Sequence, residues 1–175
     1  ARDDARPAIA ALNALGIRSL MLSGDNQRTA TAVAQGLGME AEGELMPADK
    51  LKRIEALKAE APVLMVGDGV NDAPALATAT LGLAMGGGTD VAMAAAGISL
   101  MRGDPQLVPA ALEISRRTYA KIQQNLFWAF AYNLVGIPLA AAGLLNPVIA
   151  GAAMALSSVS VVSNALLLSR WKPEV

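Results

Sequence analysis

Neither cysteine nor histidine occurs among the 175 residues, and that double absence removes several chemistries at once. Disulfide frameworks, zinc fingers, Cys/His nucleophile pairs and Ser/His/Asp triads are all excluded. A soft-metal ligand in this chain has to be methionine. Charge is scarce too: Asp, Glu, Lys and Arg make up 17% of the chain against 54% apolar residues, with a mean hydropathy of +0.41. That balance is too apolar for a simple soluble domain and points to membrane segments. The net charge of −1 hides an uneven distribution, because acidic residues lie almost entirely up to Glu113 while the last third carries scattered Arg and Lys. No basic patch suggests nucleic acid. The start "ARDDARPAIA" has no apolar core behind a basic segment, so it does not read as a signal peptide.

From Ala5 to about Asp104 helix-like and strand-like stretches alternate. The helical "ARPAIAALNALG" ends at Gly16, a C′ glycine, and is followed by the strand-like "IRSLML", then "SGDN" and a helix from about Gln27 to Leu37. A helix opening at Pro47 runs to about Ala59 and precedes "PVLMV", "GDGVND" and a short helix near Ala73 to Ala77. "LGLAM", a glycine turn, the helical "TDVAMAAAG" and "ISLM" complete the series. Strands and helices alternating at these lengths predict an α/β fold with a parallel sheet.

After about Gln106 the character changes. The amphipathic, basic "LVPAALEISRRTYAKIQQN" leads into "LFWAFAYNLVGIPLAAAGLL", and after "NP" comes "VIAGAAMALSSVSVVSNALLL". Each of the last two runs is about twenty residues without formal charge, long enough for a helix to cross a bilayer, so together they predict a two-helix transmembrane hairpin. Arg116, Arg117 and Lys121 precede the first span, Arg170 and Lys172 follow the second, and the turn between has no positive residue. The expectation is a multi-pass cell-membrane protein with both ends of this chain in the cytoplasm.

In open parallel sheets ligands bind beyond the carboxyl ends of the strands, where "SGDN" and "GDGVND" both lie. Ser23 offers a hydroxyl, the Gly24 amide can approach an anion, and Asp25 or Asn26 can cap the next helix. Asp68 comes directly off a strand, a good place for a carboxylate that holds Mg²⁺, with Asp72 four residues on and Lys50 able to offer a point charge to phosphate. "SGDN" alone equally fits a turn with a helix cap, and Lys50 alone an ordinary surface lysine. A calcium loop fails, since Ala73 and Ala79 stand where it needs Gly and Glu, and a P-loop fails because no Gly-Lys pair exists.

"MLSGDNQRTATAVAQGLG", "PADK", "VGDGVNDAPALATATLGLAMGGGTDVA" and "LMRGD" resemble the C-terminal half of the phosphorylation domain of P-type ATPases, whose core has the haloacid-dehalogenase fold. The resemblance implies that Asp68 is a Mg²⁺ ligand and that Asn71 and Asp72 organise the phosphate site. It implies further that Lys50 neutralises the phosphoryl group, and that Ser23, Gly24 and Asp25 stand where the family usually has Thr-Gly-Asp. Serine keeps the hydroxyl. The phosphorylated aspartate of the family precedes Lys-Thr-Gly-Thr, and no aspartate here has that context. The expectation is therefore a fragment without its nucleophile, inactive alone, with ATP bound mainly by absent domains and the N-terminal portions of the same pump as its partners.

Polar residues inside a span are candidates for function. Asn125 and the pair Tyr132, Asn133 lie about two turns apart on one face, and Pro138 leaves the Leu134 carbonyl without its helical donor. Met154, Ser157 and Ser158 share a face of the second span, and Asn164 lies farther along. Helix packing accounts for Ser160, Ser163 or Asn164 singly, whereas the Met154 thioether suits Cu(I). The whole set is similar to the last two spans of copper-exporting heavy-metal ATPases; zinc and cadmium pumps would carry a charged residue there. It implies Cu(I), with Ag(I) as an alternative cargo, held by Met154 with Tyr132, Asn133, Ser157 and Ser158. The expected organisation is 1–104 phosphorylation-domain half, 105–125 connecting helix, 126–170 spans and 171–175 tail. Competing readings are a membrane-bound dehalogenase-type phosphatase and a non-catalytic metal-binding fragment.

Overall fold

Alanine and leucine at helical spacing build α1 (Ala5–Ala14), and Gly16 at φ +75° ends it, its N–H donating to Asn13 while that of Ile17 reaches Leu12. The computed structural model describes residues 3–144 and 146–171. These fall into two units that divide after Pro109. In the first, β1 (Leu20–Leu22), α2 (Gln27–Leu37), β2 (Glu40–Glu42), α3 (Pro47–Glu60) and β3 (Leu64–Gly67) follow α1. A single 3₁₀ turn at Val70–Asp72 leads into α4 (Ala73–Thr78), β4 (Leu81–Ala84), α5 (Asp90–Ala95) and β5 (Ile98–Ser99).

All strand pairings are parallel, as the βα alternation predicts. Among the described residues the strands form two parallel sheets. β1 pairs with β2, and β3, β4 and β5 form a separate sheet in that order. The strand β2 was not anticipated, because Glu-Ala-Glu lacks the apolar β-branched character that marks a strand. Its Glu42 instead pairs with Arg53 of α3 at 2.8 Å.

The two sheets share packing without sharing hydrogen bonds. Ile54 of α3, Ala75 of α4 and Ala79 just after it form a buried cluster, against which Leu22 of β1 and Val63 and Met65 at β3 pack. Leu76 and Leu83 are the largest fully buried side chains among the described residues. The remainder of the core is mostly alanine, which lets helix and strand backbones approach closely while burying little apolar area per residue.

In the second unit the expected connecting helix and first span are one uninterrupted helix, α6 (Leu107–Ala141), with Pro138 inside it. Its apolar stretch from Leu126 to Ala141 is about 24 Å long at 1.5 Å per residue, short of the ~30 Å hydrocarbon core. α7 (Pro147–Leu166) begins as the sequence predicts, with Pro147 in its first turn and the Asn146 side chain accepting from Val148 N–H at 2.9 Å. Together with a 3₁₀ turn, Leu167–Arg170, it is the one helical stretch among the described residues long and apolar enough to cross a membrane. Leu145 and the segment from Lys172 onward, which hold the end of the expected first span and the expected tail, lie outside the described residues.

Candidate active site

The first acidic loop is held from both sides. Ser23 N–H continues the ladder to Glu42 O at 2.9 Å, and its hydroxyl turns inward, donating to Asp25 Oδ2 at 3.0 Å and accepting from Asp25 N–H at 3.1 Å. Of the two capping candidates Asn26 is the cap, its Oδ1 accepting from Thr29 N–H at 2.8 Å. Gly24 is exposed, and a Cβ there would meet nothing closer than the Leu45 carbonyl at 3.6 Å. The chain then returns over the loop: Glu44 N–H donates to Asp25 O at 2.6 Å and Leu45 N–H to Ser23 O at 3.0 Å.

That returning segment runs directly into α3, whose first turn presents Lys50. Its Nζ lies 3.0 Å from Asp72 Oδ1, with both side chains only 16% exposed. Asp72 stands at the start of α4 but makes no capping bond with its side chain, because the carboxylate is turned toward Lys50. The two acidic loops are thus tied through residues 44–50. This reach across 22 positions is what makes Lys50 more than a surface lysine.

Asp68 follows β3 immediately, and its carboxylate is exposed and makes no hydrogen bond or ion pair among the described residues. The backbone around it is fixed. Thr89 N–H donates to Asp68 O at 3.0 Å, and Gly88 lies so close that a Cβ there would stand 2.6 Å from the same oxygen. Gly67 has no room either, since a Cβ would come 2.8 Å from Asp72 Cβ. Asn71 is exposed in the 3₁₀ turn. No direct bond joins Asp68 or Asn71 to the Ser23–Asp25 loop among the described residues.

An exposed carboxylate at a strand end, without a protein cation of its own, is a donor of the type Mg²⁺ takes. Asp72 is already neutralised by Lys50, so Asp68 is the acidic side chain here best suited to such an ion. Sequence reading passed over Gly88 and Thr89, which hold the Asp68 backbone; their signal was the "GGGT" turn after a strand. Gly88→Ala must push this loop off Asp68. The expected result is a melting temperature lower by about 5 °C or more, checked by thermal unfolding of the chain.

The candidate metal residues of the second unit are not bonded to one another across the helices. Asn133 Nδ2 donates to Ala129 O at 2.8 Å, and Ser158 Oγ donates to Met154 O at 3.1 Å, each satisfied within its own helix. Tyr132 and Met154 are 36% and 74% exposed, and Ser157 is half-buried. The helices are instead joined nearer the other ends, where Asn164 of α7 meets Lys121, Gln124 and Asn125 of α6.

Residues 1–80 match the haloacid dehalogenase-like hydrolase family. A copper-exporting P-type ATPase of Staphylococcus haemolyticus is 56% identical over 96% of this chain and 21% of its own length. One of Staphylococcus saprophyticus is 51% identical over 98% of the chain and 22% of its own length. The chain therefore spans about a fifth of these curated relatives. Among solved structures, a zinc-transporting PIB-type ATPase in the E2.Pi state superposes with a TM-score of 0.89 at 41% identity, over 97% of this chain and 28% of that one. The catalytic domain of the CPx-ATPase CopB-B superposes with a TM-score of 0.59 at 36% identity, over 63% of this chain and 44% of that one.

Proposed function

We propose that this chain is part of a heavy-metal P-type ATPase and supplies the Mg²⁺- and phosphate-binding side of an ATP-driven Cu(I) pump, with part of its membrane path, a reading supported by the curated relatives, the family match and the structural neighbour. The observation that carries the choice of copper is the absence of charge between Leu126 and Ser169, where Met154 is the softest donor. The names of the relatives at 51% and 56% identity agree with that choice, while the zinc-transporting neighbour stands at 41%. Ag(I), equally soft, is the alternative cargo.

In this reading Asp68 holds Mg²⁺, which screens the negative charge of a phosphoryl group when bound. Lys50 has three donors, and one bond to Asp72 fixes the direction of its ammonium while leaving two for phosphoryl oxygens. Asp72 acts through that orientation, and Asn71 adds an amide at the same turn. Ser23, Gly24 and Asp25 offer a hydroxyl and backbone N–H groups at the carboxyl end of β1, where an incoming phosphate would meet them. The nucleophile would arrive on an aspartate outside these residues, since none here precedes Lys-Thr-Gly-Thr. Both β1 and β3 border the Ile54 cluster and do not pair with each other, which leaves an edge of each for such a strand.

The membrane reading is a multi-pass protein with both ends of this chain cytoplasmic, supported by Arg116, Arg117 and Lys121 before the first apolar stretch and Arg170 after the second. The first span is short as a straight helix from Leu126; including Gln123 to Asn125 at the interface brings it close to bilayer thickness.

The test is replacement. This chain is put in place of the corresponding segment of the Staphylococcus haemolyticus relative, and phosphoenzyme formation and ATP hydrolysis are measured in vesicles. Stimulation by Cu(I) and not by Zn²⁺ is expected, whereas equal stimulation by Zn²⁺ would overturn the copper reading. The chain alone is expected to release no phosphate from ATP or from a small phosphate ester. Mg²⁺-dependent turnover by it would favour a free-standing phosphatase.

A further inference from the structure

α7 contains no fully buried residue. What joins the helices is a polar cluster. Asn164 Oδ1 accepts from Lys121 Nζ at 2.8 Å, and Asn164 Nδ2 donates to Asn125 Oδ1 at 2.8 Å and to Gln124 Oε1 at 3.3 Å. Lys121 also donates to Gln124 Oε1 at 3.2 Å, so the four side chains form one connected network. Lys121, Asn125 and Asn164 are all half-buried, which makes an unmade bond costly. A second contact agrees on the alignment: the Arg117 guanidinium of α6 sits 5.5 Å from the ring centroid of Trp171, the residue that follows the 3₁₀ turn after α7.

The consequence is one of level. From Asn125, seven residues along α6 lead to Tyr132, and from Asn164, seven residues back along the antiparallel α7 lead to Ser157. Seven residues are nearly two turns, about 10.5 Å, and return to the same face of a helix. We propose that Asn164 is a positioning residue whose bonds to Lys121, Gln124 and Asn125 set the level of α7 so that Ser157 stands opposite Tyr132. α6 is continuous from Leu107 to Ala141, so a movement of this helix reaches α7 through Asn164. The functional part of the inference rests on the copper reading of Tyr132, Asn133, Met154, Ser157 and Ser158; the alignment does not.

The absence of native cysteine makes the test direct. Phe130 and Val159 lie five residues from Asn125 and Asn164 in opposite directions, and are 71% and 61% exposed. Cysteines at these two positions of the full chain, in phosphatidylcholine vesicles, carry spin labels for pulsed distance measurement. A single narrow distance distribution is expected. Asn164→Ala should broaden it, or shift it by up to about one helical turn of ~5.4 Å. Asn164→Asp should keep it narrow, since a carboxylate accepts from Lys121 and the amides of Asn125 and Gln124 can turn to donate. Lys121→Met should act in the same direction as Asn164→Ala. Cu(I) affinity, read by competition with a chromophoric chelator, should fall roughly three- to tenfold in Asn164→Ala and recover in Asn164→Asp. An unchanged distribution in Asn164→Ala overturns the proposal, and so does equal broadening in Asn164→Asp. Broadening without any change in Cu(I) affinity overturns the link to the metal residues. A parent chain that binds no Cu(I) sinks the copper reading, and the distances alone then decide the alignment.

Discussion

Lys50→Met is expected to melt the first unit about 10 °C or more below the parent chain, and the double variant Lys50→Met/Asp72→Asn to recover most of that loss. The reason is burial. With both side chains 16% exposed and the charges 3.0 Å apart, removing the ammonium leaves a carboxylate that water reaches poorly. Breaking a well-buried pair costs about 3–5 kcal/mol, and the residual exposure here brings the figure to about 2–3 kcal/mol. One kcal/mol moves the midpoint of a domain of this size by about 4–8 °C. Replacing the second partner by a neutral isostere removes the stranded charge, which is why the double variant should be milder. Thermal unfolding followed by circular dichroism in detergent reads both variants against the parent chain. A single variant that melts within 2 °C of the parent would mean that the pair behaves as a solvated surface contact. Arg18 and Glu40, 3.7 Å apart and 66% and 69% exposed, supply that comparison within the same unit: Arg18→Met should leave the midpoint nearly unmoved.

Asp68→Asn should do the opposite, leaving stability unchanged and removing activity. Its carboxylate is exposed and unbonded among the described residues, so folding has little to lose. Function has much to lose. An amide of the same shape carries no charge for a hard divalent cation, and metal screening of a phosphoryl group contributes several kcal/mol to the transition state. In the replacement pump described above, phosphoenzyme formation at fixed Mg²⁺ should fall on the order of 100-fold or more, with an unchanged melting temperature. Retention of half the phosphoenzyme, with the same Mg²⁺ dependence, would remove Asp68 from the metal's neighbourhood. Taken with Lys50→Met, the pair separates a residue that structure needs from one that only chemistry needs.

The helices and strands were legible wherever a short window carried the whole signal. "LML", "LMVG" and "LGLA" are apolar runs bounded by Gly, Pro or polar turns, and each is a strand. Pro47 and Gly16 mark a helix start and a helix end by backbone chemistry that needs no tertiary partner. The strand Glu40–Glu42 was not legible, because it is a strand by virtue of pairing with β1 and of the Arg53 that meets Glu42. The second unit was half legible. Both apolar runs are helices, but composition hid the absence of any break between "QQN" and "LFW", since neither a proline nor a glycine interrupts the backbone there.

The sequence by itself determined the family resemblance, the α/β alternation and the identity of the chemical groups, because motif spacing and side-chain type are properties of neighbouring residues. Tertiary structure alone decided the partners. Lys50 and Asp72 are separated by 22 positions, and Asn125 and Asn164 by 39, and nothing local distinguishes a lysine facing water from one held against a carboxylate. Packing of α3 and α4 against the strands brings the first pair together. The antiparallel alignment of α6 and α7 brings the second pair together. Both are consequences of how the chain folds back on itself, and for that reason they could not be read one window at a time.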